Sequence, residues 1–167
     1  SGIESYGANA IITNSGIITG DGAKSDGIFS NSANATITNS GTINGRYGMY
    51  SNGINAIITN SGTINGRRYG IYSIGADTTI TNSGTITGTN YAILGGTSDS
   101  LTLNLLKGSQ LMGKIDLGGA GAVDNDTVNI HGGSVSATLT FVNTENINLL
   151  GPGLKLSGDV VVSVDGT

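Results

Sequence analysis

Few residues in this chain are of types that perform acid–base, nucleophilic or metal chemistry. His131 is the only histidine and no cysteine occurs, so any Ser-His-Asp device would have to use His131. Disulfides, thiolate metal sites and cysteine nucleophiles are excluded altogether. His131 ends a strand-like segment and precedes two glycines, which is typical of a polar corner residue. We therefore predict no catalytic role for it.

A second candidate for chemistry is a pair of acidic residues, Asp124 and Asp126. They would share one face of an extended strand, an arrangement known from acid pairs of polysaccharide-cleaving β-helices, but VDNDTVNI also fits a plain Asp/Asn turn. The overlapping segment GGAGAVDND (118–126) partly matches the GGxGxD calcium repeat. Val123 stands where that motif requires Asp, and the motif occurs once. No catalytic residue, metal or other cofactor is therefore predicted.

Arginine and tyrosine instead cluster in a way that favours binding a partner. Arg, Tyr and Trp are enriched in interaction hot spots because they combine large contact area with charge-assisted or polar bonding. The alternative is that the tyrosines stack on one another and the arginines are solvated, with cation–π contacts of only ~0.5–1 kcal/mol. By parity, Tyr47, Tyr69 and Tyr91 could also face inward. The predicted ligand-binding residues are Arg46, Tyr47, Tyr50, Arg67, Arg68, Tyr69 and Tyr72.

Charge and composition limit the class of partner and of fold. The net charge of −4 gives nucleic acid no electrostatic support, whereas three of the seven basic residues lie in the cluster. This local positive charge favours an anionic glycan or an acidic receptor surface. No apolar run approaches the ~18 residues of a membrane helix. Gly, Asn, Ser and Thr supply 85 of the 167 residues, and these weak helix formers indicate strands and turns.

The elements that position the cluster belong to an internal repeat. Asn-Ser-Gly occurs at Asn14, Asn39, Asn60 and Asn82, with spacings of 25, 21 and 22 residues. Each copy lies in a phrase such as ATITNSGTING (35–45), and a GIxS-type phrase precedes each copy by four linker residues. Length varies only after the final glycine of each phrase. Each repeat therefore predicts three short strands separated by corners.

Alternating apolar residues define the inward face of these strands. A unit of about 22 residues is too small to bury that face alone, so the repeats must stack. The asparagines share the inward parity and could bond along the stack as a ladder. Glycines 16, 41, 62 and 84, and 20, 45, 66 and 88, are expected to permit positive φ at corners. The predicted isoleucine columns are Ile3, Ile28, Met49, Ile71 and Ile93; Ile12, Ile37, Ile58 and Ile80; and Ile18, Ile43, Ile64, Ile86 and Leu111.

These features predict an all-β fold, a right-handed parallel β-helix (β-solenoid) of about seven rungs of roughly 22 residues. A variable third corner and a rung above twenty residues favour the right-handed form over the left-handed hexapeptide form. We expect a single domain over residues 1–167, with regular repeats in 1–98 and degenerate C-terminal rungs in 99–167. A separate domain after residue 98 is an alternative.

The repeat phrases resemble those of a known family. ITNSGTI-x-G followed by GIYS is similar to the passenger repeats of bacterial type V autotransporters. LKGSQLMGKIDLGG…DNDTVNI…LTFVNTENINL resembles the passenger segment that precedes their outer-membrane barrel. The resemblance implies a secreted or surface-displayed protein of a Gram-negative bacterium, with its own C-terminal barrel in the precursor. It also implies that residues 99–167 act as a folding nucleus, and that the chain is an excised or mature passenger piece.

Because this family shares a scaffold more than an activity, the function has to come from particular residues. The Arg–Tyr cluster predicts a non-enzymatic passenger, not itself inserted in a membrane, that binds host cells or extracellular matrix. It would act as an adhesin or as a secreted effector engaging a host cell-surface receptor. The alternatives are a glycan-processing β-helix enzyme using Asp124 and Asp126, and a purely structural stalk.

Overall fold

The chain folds as an all-β parallel β-solenoid of about six turns, spaced by about 22 residues. A computed structural model describes residues 1–97, 100–118, 125–131, 134–136, 139–142, 144–151, 155–157 and 160–163. Within these ranges there is no helix, and hence none that is long and apolar enough to cross a membrane. The predicted fold class is confirmed, with slightly fewer turns than expected. The right-handed winding stays a prediction.

Three of the described strands have ten or eleven residues, and the others have three to seven. In chain order they are β1 (Ile3–Ser5), β2 (Ile11–Asn14), β3 (Ile17–Thr19), β4 (Ile28–Ser30), β5 (Thr36–Asn39), β6 (Thr42–Ser51), β7 (Ile57–Asn60), β8 (Thr63–Ser73), β9 (Thr78–Asn82), β10 (Thr85–Leu94), β11 (Leu101–Leu105), β12 (Gln110–Asp116), β13 (Thr127–His131), β14 (Ser134–Ser136), β15 (Leu139–Val142), β16 (Asn146–Leu150), β17 (Lys155–Ser157) and β18 (Val160–Ser163).

Two parallel sheets run along the solenoid. The larger sheet has the order β1-β4-β6-β8-β10-β12-β14-β17, with β3 paired to β6, β15 paired to β12, and β18 paired to β15. The smaller sheet has the order β2-β5-β7-β9-β11-β13-β16. Each strand therefore pairs with its equivalent one rung away, as stacking of the repeats requires.

The isoleucine columns form the core between the sheets, as predicted. Ile28 pairs with Met49, Ile37 with Ile58, and Ile43 with Ile64, each in parallel register. Apart from the partly exposed first rung, the column residues are at most 1% exposed. Burying an Ile side chain contributes about 1.5–3 kcal/mol, and the columns repeat that contribution in every rung.

The predicted asparagine ladder is also confirmed. The side-chain amide of Asn14 donates to Oδ1 of Asn39 at 2.7 Å, and the next two steps, to Asn60 and then Asn82, are 2.8 Å each. Each asparagine also donates to the carbonyl of the glycine two residues on. The buried amides are thereby paired both within and between rungs, which burial of polar groups requires.

The prediction of positive φ at the corner glycines is wrong. Among the described residues of the regular repeats, positive φ falls on Gly22 and on the last linker residue of each repeat, namely Asn9, Asn34, Asn55 and Asp77, with φ between 55° and 59°. Asn and Asp tolerate this left-handed conformation better than other side chains do. All of the corner glycines except Gly16 are required by close approach instead. A Cβ on Gly41 would lie 2.1 Å from the carbonyl oxygen of Gly16, and one on Gly62 would lie 2.1 Å from that of Gly41.

The variable segment between the TIxG and GIxS phrases is not a separate corner in most rungs. In β6, β8 and β10 the two phrases form one continuous strand, and the segment is a bulge within it. Only in the first rung do they form two strands, β3 and β4, because residues 21–26 intervene. The predicted three strands per rung therefore reduce to two in the rungs that carry the Arg–Tyr cluster.

The stack continues into the degenerate rungs. β11 pairs with β9 and β12 pairs with β10, so the segments beyond residue 100 extend both sheets. Leu103, Leu105 and Leu111 join the same core cluster as the isoleucine columns. Pairing of β13 with β11 and of β16 with β13 carries the smaller sheet to Leu150.

Candidate interaction surface

The bulge in the long strands places arginine and tyrosine side by side on the larger sheet. Between β6 and β8 the register shifts by one residue after Gly45 and Gly66, because Arg67 and Arg68 stand where β6 has Arg46 alone. The register is restored at Tyr47 and Tyr69, which pair directly. β8 and β10 keep equal length through the bulge, so Tyr69 pairs with Tyr91.

Seven of the eight aromatic residues are linked by one continuous series of ring contacts, which we call the aromatic stripe. It consists of Tyr6, Phe29, Tyr47, Tyr50, Tyr69, Tyr72 and Tyr91.

Stacked tyrosines form the centre of the stripe. The rings of Tyr47 and Tyr69 stack with centroids 4.9 Å apart and planes within 2° of parallel. Tyr50 and Tyr72 stack at 5.1 Å and 13°, and the two stacks meet edge to face at 5.4 to 5.8 Å. Aromatic pairs of this geometry contribute about 0.5–1.5 kcal/mol beyond burial of area. The centre of the stripe is therefore a rigid platform.

The orientation of Tyr47 and Tyr69, which the sequence left open, is settled by these contacts. Both residues are buried, at 8% exposure, yet neither belongs to the isoleucine core cluster. Their rings are covered by Tyr50 and Tyr72, which alternate outward on the same strands and are half-buried. Tyr50 and Tyr72 thus present the accessible surface, with Tyr47 and Tyr69 as its support.

Arg46 serves mainly to hold the fold. Its Nε donates to Oδ1 of Asp26 at 3.2 Å, and its guanidinium carbon lies 4.1 Å from the centroid of the Tyr47 ring. Asp26 is 5% exposed, and its Oδ1 also accepts from the backbone N–H of Tyr47. A carboxylate this buried requires its cation, so Arg46 is less accessible to a partner than the sequence predicted.

Arg67 and Arg68, by contrast, are exposed. Arg67 donates from Nη2 to the carbonyl oxygen of Gly22, in the segment 21–26 two rungs back. Arg68 lies over the Tyr69 ring with its guanidinium carbon 4.9 Å from the centroid. Within the described residues, neither has a carboxylate within salt-bridge distance. Both guanidinium groups therefore keep donors for an external acidic group.

The stripe perturbs the titration of its own phenols. Burial raises the pKa of Tyr50 above its ordinary value of 10.0, and the neighbouring Tyr72, Tyr47 and Asp26 raise it further, while Arg46 opposes them. At the first-rung end, Tyr6 donates to Oε2 of Glu4 at 2.9 Å, and that hydrogen bond raises the pKa of Tyr6. Both phenols are neutral donors at physiological pH.

Two features of this surface are absent from the residues predicted from the sequence. Asp26 occupies the first-rung position that tyrosine holds at 47, 69 and 91, since each stands directly before the GIxS-type phrase or its equivalent. Aligning the repeats on that phrase would have found it. Tyr91 and Lys114 lie together at the other end of the stripe, and no repeat phrase marks Lys114.

Of the acidic pair, only Asp126 lies within the described residues. Asp126 is fully buried, and its Oδ1 accepts from the backbone N–H of Leu101 at 2.6 Å, which ties two rungs together. Asp124, Val123 and most of the GGAGAVDND segment lie outside the described residues. His131 is half-buried at the end of β13, in register with Leu150. In the described part of the chain, no three His, Asp or Glu side chains converge as metal ligands.

Comparison with known proteins adds no relative to this picture. No protein-family model, no curated protein and no solved structure matches the chain. The parallel β-solenoid is consistent with a β-helical passenger, and the surface described above is the feature from which a function can be argued.

Proposed function

We propose that this chain is a non-enzymatic autotransporter passenger, secreted or displayed on the bacterial surface, that binds host cells or extracellular matrix. Its regular repeats carry the phrases that resemble such passengers, and the β-solenoid is the form that such passengers take. The binding surface is the central part of the aromatic stripe, with Tyr50, Tyr72, Arg67 and Arg68 in contact with the partner. The partner is an acidic receptor surface or an anionic glycan.

The observation that supports this proposal most directly is the pairing of a rigid aromatic platform with two exposed arginines. Tyr50 and Tyr72 are held by the stacked rings beneath them, so a partner would order few rotamers on binding. Arg67 and Arg68 lie in the bulge of β8, the strand that also carries Tyr72. Preorganised aromatic and arginine side chains are the composition that dominates binding energy in protein interfaces.

The charge of the molecule supports an acidic partner. The chain as a whole carries −4, so it repels polyanions except where its basic residues concentrate. Arg67 and Arg68 are adjacent in sequence, and Arg46 lies in the preceding rung. Binding that depends on these exposed charges weakens as salt rises, because the Debye length falls from about 10 Å at 0.1 M to about 3 Å at 1 M.

The test reverses the charge of the exposed arginines alone. Arg67→Glu with Arg68→Glu is expected to abolish salt-sensitive binding of the chain to host cells. Arg46 is left unchanged, because glutamate beside Asp26 would destabilise the fold. Lys107→Glu is the control for charge reversal elsewhere on the chain, since Lys107 is exposed at the turn that follows β11, two rungs further along. Unchanged binding of the double variant, with a folded far-UV circular dichroism spectrum, would overturn the proposal.

A second measurement separates binding from catalysis. The chain is incubated with pectin, hyaluronan and heparin, and the products are separated by size. We expect retention of at least one anionic polymer without the appearance of shorter products. Release of shorter saccharides would instead favour the glycan-processing enzyme and contradict the non-enzymatic part of the proposal.

A further inference from the structure

The aromatic stripe ends in a cleft rather than in another tyrosine. An open cleft of about 360 Å³ lies beside β10 and β12 and is lined by Thr89, Asn90, Tyr91 and Lys114. Ligand pockets in proteins typically measure about 300–1,000 Å³, so this volume suits a small ligand or one unit of a polymer.

The cleft exists because the bulge stops at this rung. Thr87 pairs with Met112 and Tyr91 pairs with Lys114, so three residues of β10 stand opposite the single residue Gly113 of β12. The Thr89–Asn90 bulge therefore projects beside a strand that has no bulge of its own. Between β8 and β10, where both strands carry the bulge, the register is unbroken.

Gly113 makes this crossing sterically feasible. Its φ is +120°, and a Cβ at this position would lie 2.4 Å from the carbonyl oxygen of Gly88. A larger residue would force the two strands apart and alter the floor of the cleft. The glycine therefore has a steric role in forming the cleft, which the regular repeat does not explain.

The side chains that line the cleft are complementary to an acidic sugar. Tyr91 contacts Tyr69 on one side, at 5.6 Å, and its in-register neighbour on the other side is Lys114. An aromatic ring offers a surface for the C–H face of a pyranose, and an ammonium group pairs with a carboxylate or a sulfate. The Asn90 amide and the Thr89 hydroxyl can both donate to and accept from sugar hydroxyls. Asn90, Thr89 and Lys114 are exposed, so these groups are accessible.

We propose that this cleft binds one pyranose unit that bears a carboxylate or a sulfate. The unit would be part of an anionic glycan that runs along the aromatic stripe toward Arg68 and Arg67. The proposal rests on the proposed binding function, and it assigns that function a ligand class and a terminal subsite. Tyr91 stacks on the ring, Lys114 pairs with the acidic group, and Asn90 and Thr89 fix its orientation.

The experiment uses short probes that can occupy the cleft alone. Binding of trigalacturonate, a heparin-derived tetrasaccharide and the neutral cellotriose is measured by ¹⁵N–¹H NMR titration. Shifts at the amides of residues 88–91 and 113–114 are expected for at least one acidic probe and not for cellotriose. The preference of the cleft between the two acidic probes distinguishes a carboxylated sugar from a sulfated one. If neither acidic probe shifts these amides, or if cellotriose binds as well as they do, the cleft proposal is overturned.

Variants then separate the cleft from the rest of the stripe. Lys114→Gln and Asn90→Ala, both at exposed positions, are each expected to weaken binding of the short acidic probe about tenfold, whereas Lys107→Gln leaves it unchanged. Arg67→Gln with Arg68→Gln is expected to weaken heparin polymer binding while changing the affinity for the short probe less than about threefold. Loss of polymer binding in the arginine variant, with no effect of Lys114→Gln or Asn90→Ala, would retain the proposed function and reject the cleft.

Discussion

The first four rungs and the later rungs stack on one another with continuous strand pairing, yet they fill the same positions in different ways. In the early rungs identical residues stack, as at the buried corner column of Asn14, Asn39, Asn60 and Asn82. In the later rungs the same column continues as Leu105, Ile130 and Leu149. The polar ladder ends where the leucine begins.

This difference shows two ways to specify one backbone. In the early rungs, each buried asparagine amide hydrogen-bonds to the asparagine one rung away. The residue at this position is therefore determined by the identical residue in the neighbouring rung. In the later rungs, apolarity and volume are sufficient, because Leu105 and Ile130 are both buried without polar partners to match. A substitution in the early rungs should therefore be judged by its neighbours along the stack, more than by its own rung.

The largest expected effect comes from a corner glycine. Gly62→Ala would place a Cβ 2.1 Å from the carbonyl oxygen of Gly41, whereas Gly16→Ala, at the first rung, would meet nothing within 4 Å. Because backbone must move to relieve the first contact, we expect Gly62→Ala to lower the free energy of unfolding by about 4 kcal/mol. Gly16→Ala is expected to change it by less than about 0.5 kcal/mol.

Equilibrium unfolding in guanidinium chloride, followed by far-UV circular dichroism, measures both variants. The two substitutions are chemically the same and occupy the same place in the repeat. Equal losses would mean that the glycines are needed for their own backbone conformation and not for the approach of the next rung.

The next largest effect tests the ladder against the leucine column. Asn60→Leu introduces the residue type that stands two rungs later, but it removes the ladder acceptor of the buried Asn39 and the ladder donor to the buried Asn82. We expect a loss of about 3 kcal/mol, given about 1–3 kcal/mol for each unsatisfied buried group. Asn82→Leu, which lies next to Leu105 and breaks only one ladder step, should cost about half as much.

Asn52→Ala provides the control for asparagine ladders in general. Asn52 donates to Asn31 at 3.1 Å on the exposed surface, where water replaces the lost bond. Its loss is expected to stay below about 0.5 kcal/mol. If Asn60→Leu were as mild as Asn52→Ala, the buried ladder would not be what distinguishes the early rungs.

Much of this fold could be predicted because the same structural pattern recurs in each copy of the repeat. The alternation that places Ile37, Ile58 and Ile80 inward is visible in every copy, and the asparagines have the same parity. The prediction of positive φ at the corner glycines is wrong, since the sequence does not reveal how closely the adjacent rung approaches them. Positive φ lies instead at linker residues such as Asn34 and Asn55, and the composition of this linker varies from rung to rung.

The site was harder to predict than the fold, because it depends on what occurs once. The sequence predicts Arg46, Arg67 and Arg68 together as ligand-binding residues, but only Arg46 pairs with Asp26. Asp26 belongs to the segment 21–26, which occurs once in the chain. The cleft at Tyr91 depends on Gly113, where the repeat lapses and the register shifts. Alignment of repeats detects what recurs and gives no signal for the position where the pattern stops.

A smaller effect separates the arginines of the bulge. Arg46→Ala leaves the buried Asp26 without its cation, and we expect a loss of about 2 kcal/mol, less than for a fully buried pair because Arg46 is 31% exposed. Arg67→Ala is expected to change stability by less than about 0.5 kcal/mol. Urea unfolding measures both. Adding Asp26→Asn to Arg46→Ala should recover part of the loss, and no recovery would argue against the ion pair as its cause.

The smallest expected effect uses the tyrosines as a probe confined to the early rungs, since all six precede residue 92. The pKa of Tyr50 is raised in the folded state, chiefly by burial, so folding favours the neutral phenol. This contribution to stability is fully present below pH 10 and is lost as pH rises through the folded pKa, because the unfolded chain releases that proton first.

The folded parent and folded Tyr50→Phe are titrated by absorbance at 295 nm. A phenol that titrates above pH 10 in the parent should be missing from the variant. The urea midpoint of Tyr50→Phe should also fall less than that of the parent between pH 9 and pH 11. An equal fall in both proteins would mean that the centre of the aromatic stripe does not disfavour the Tyr50 phenolate, and that the pH sensitivity of the early rungs arises elsewhere.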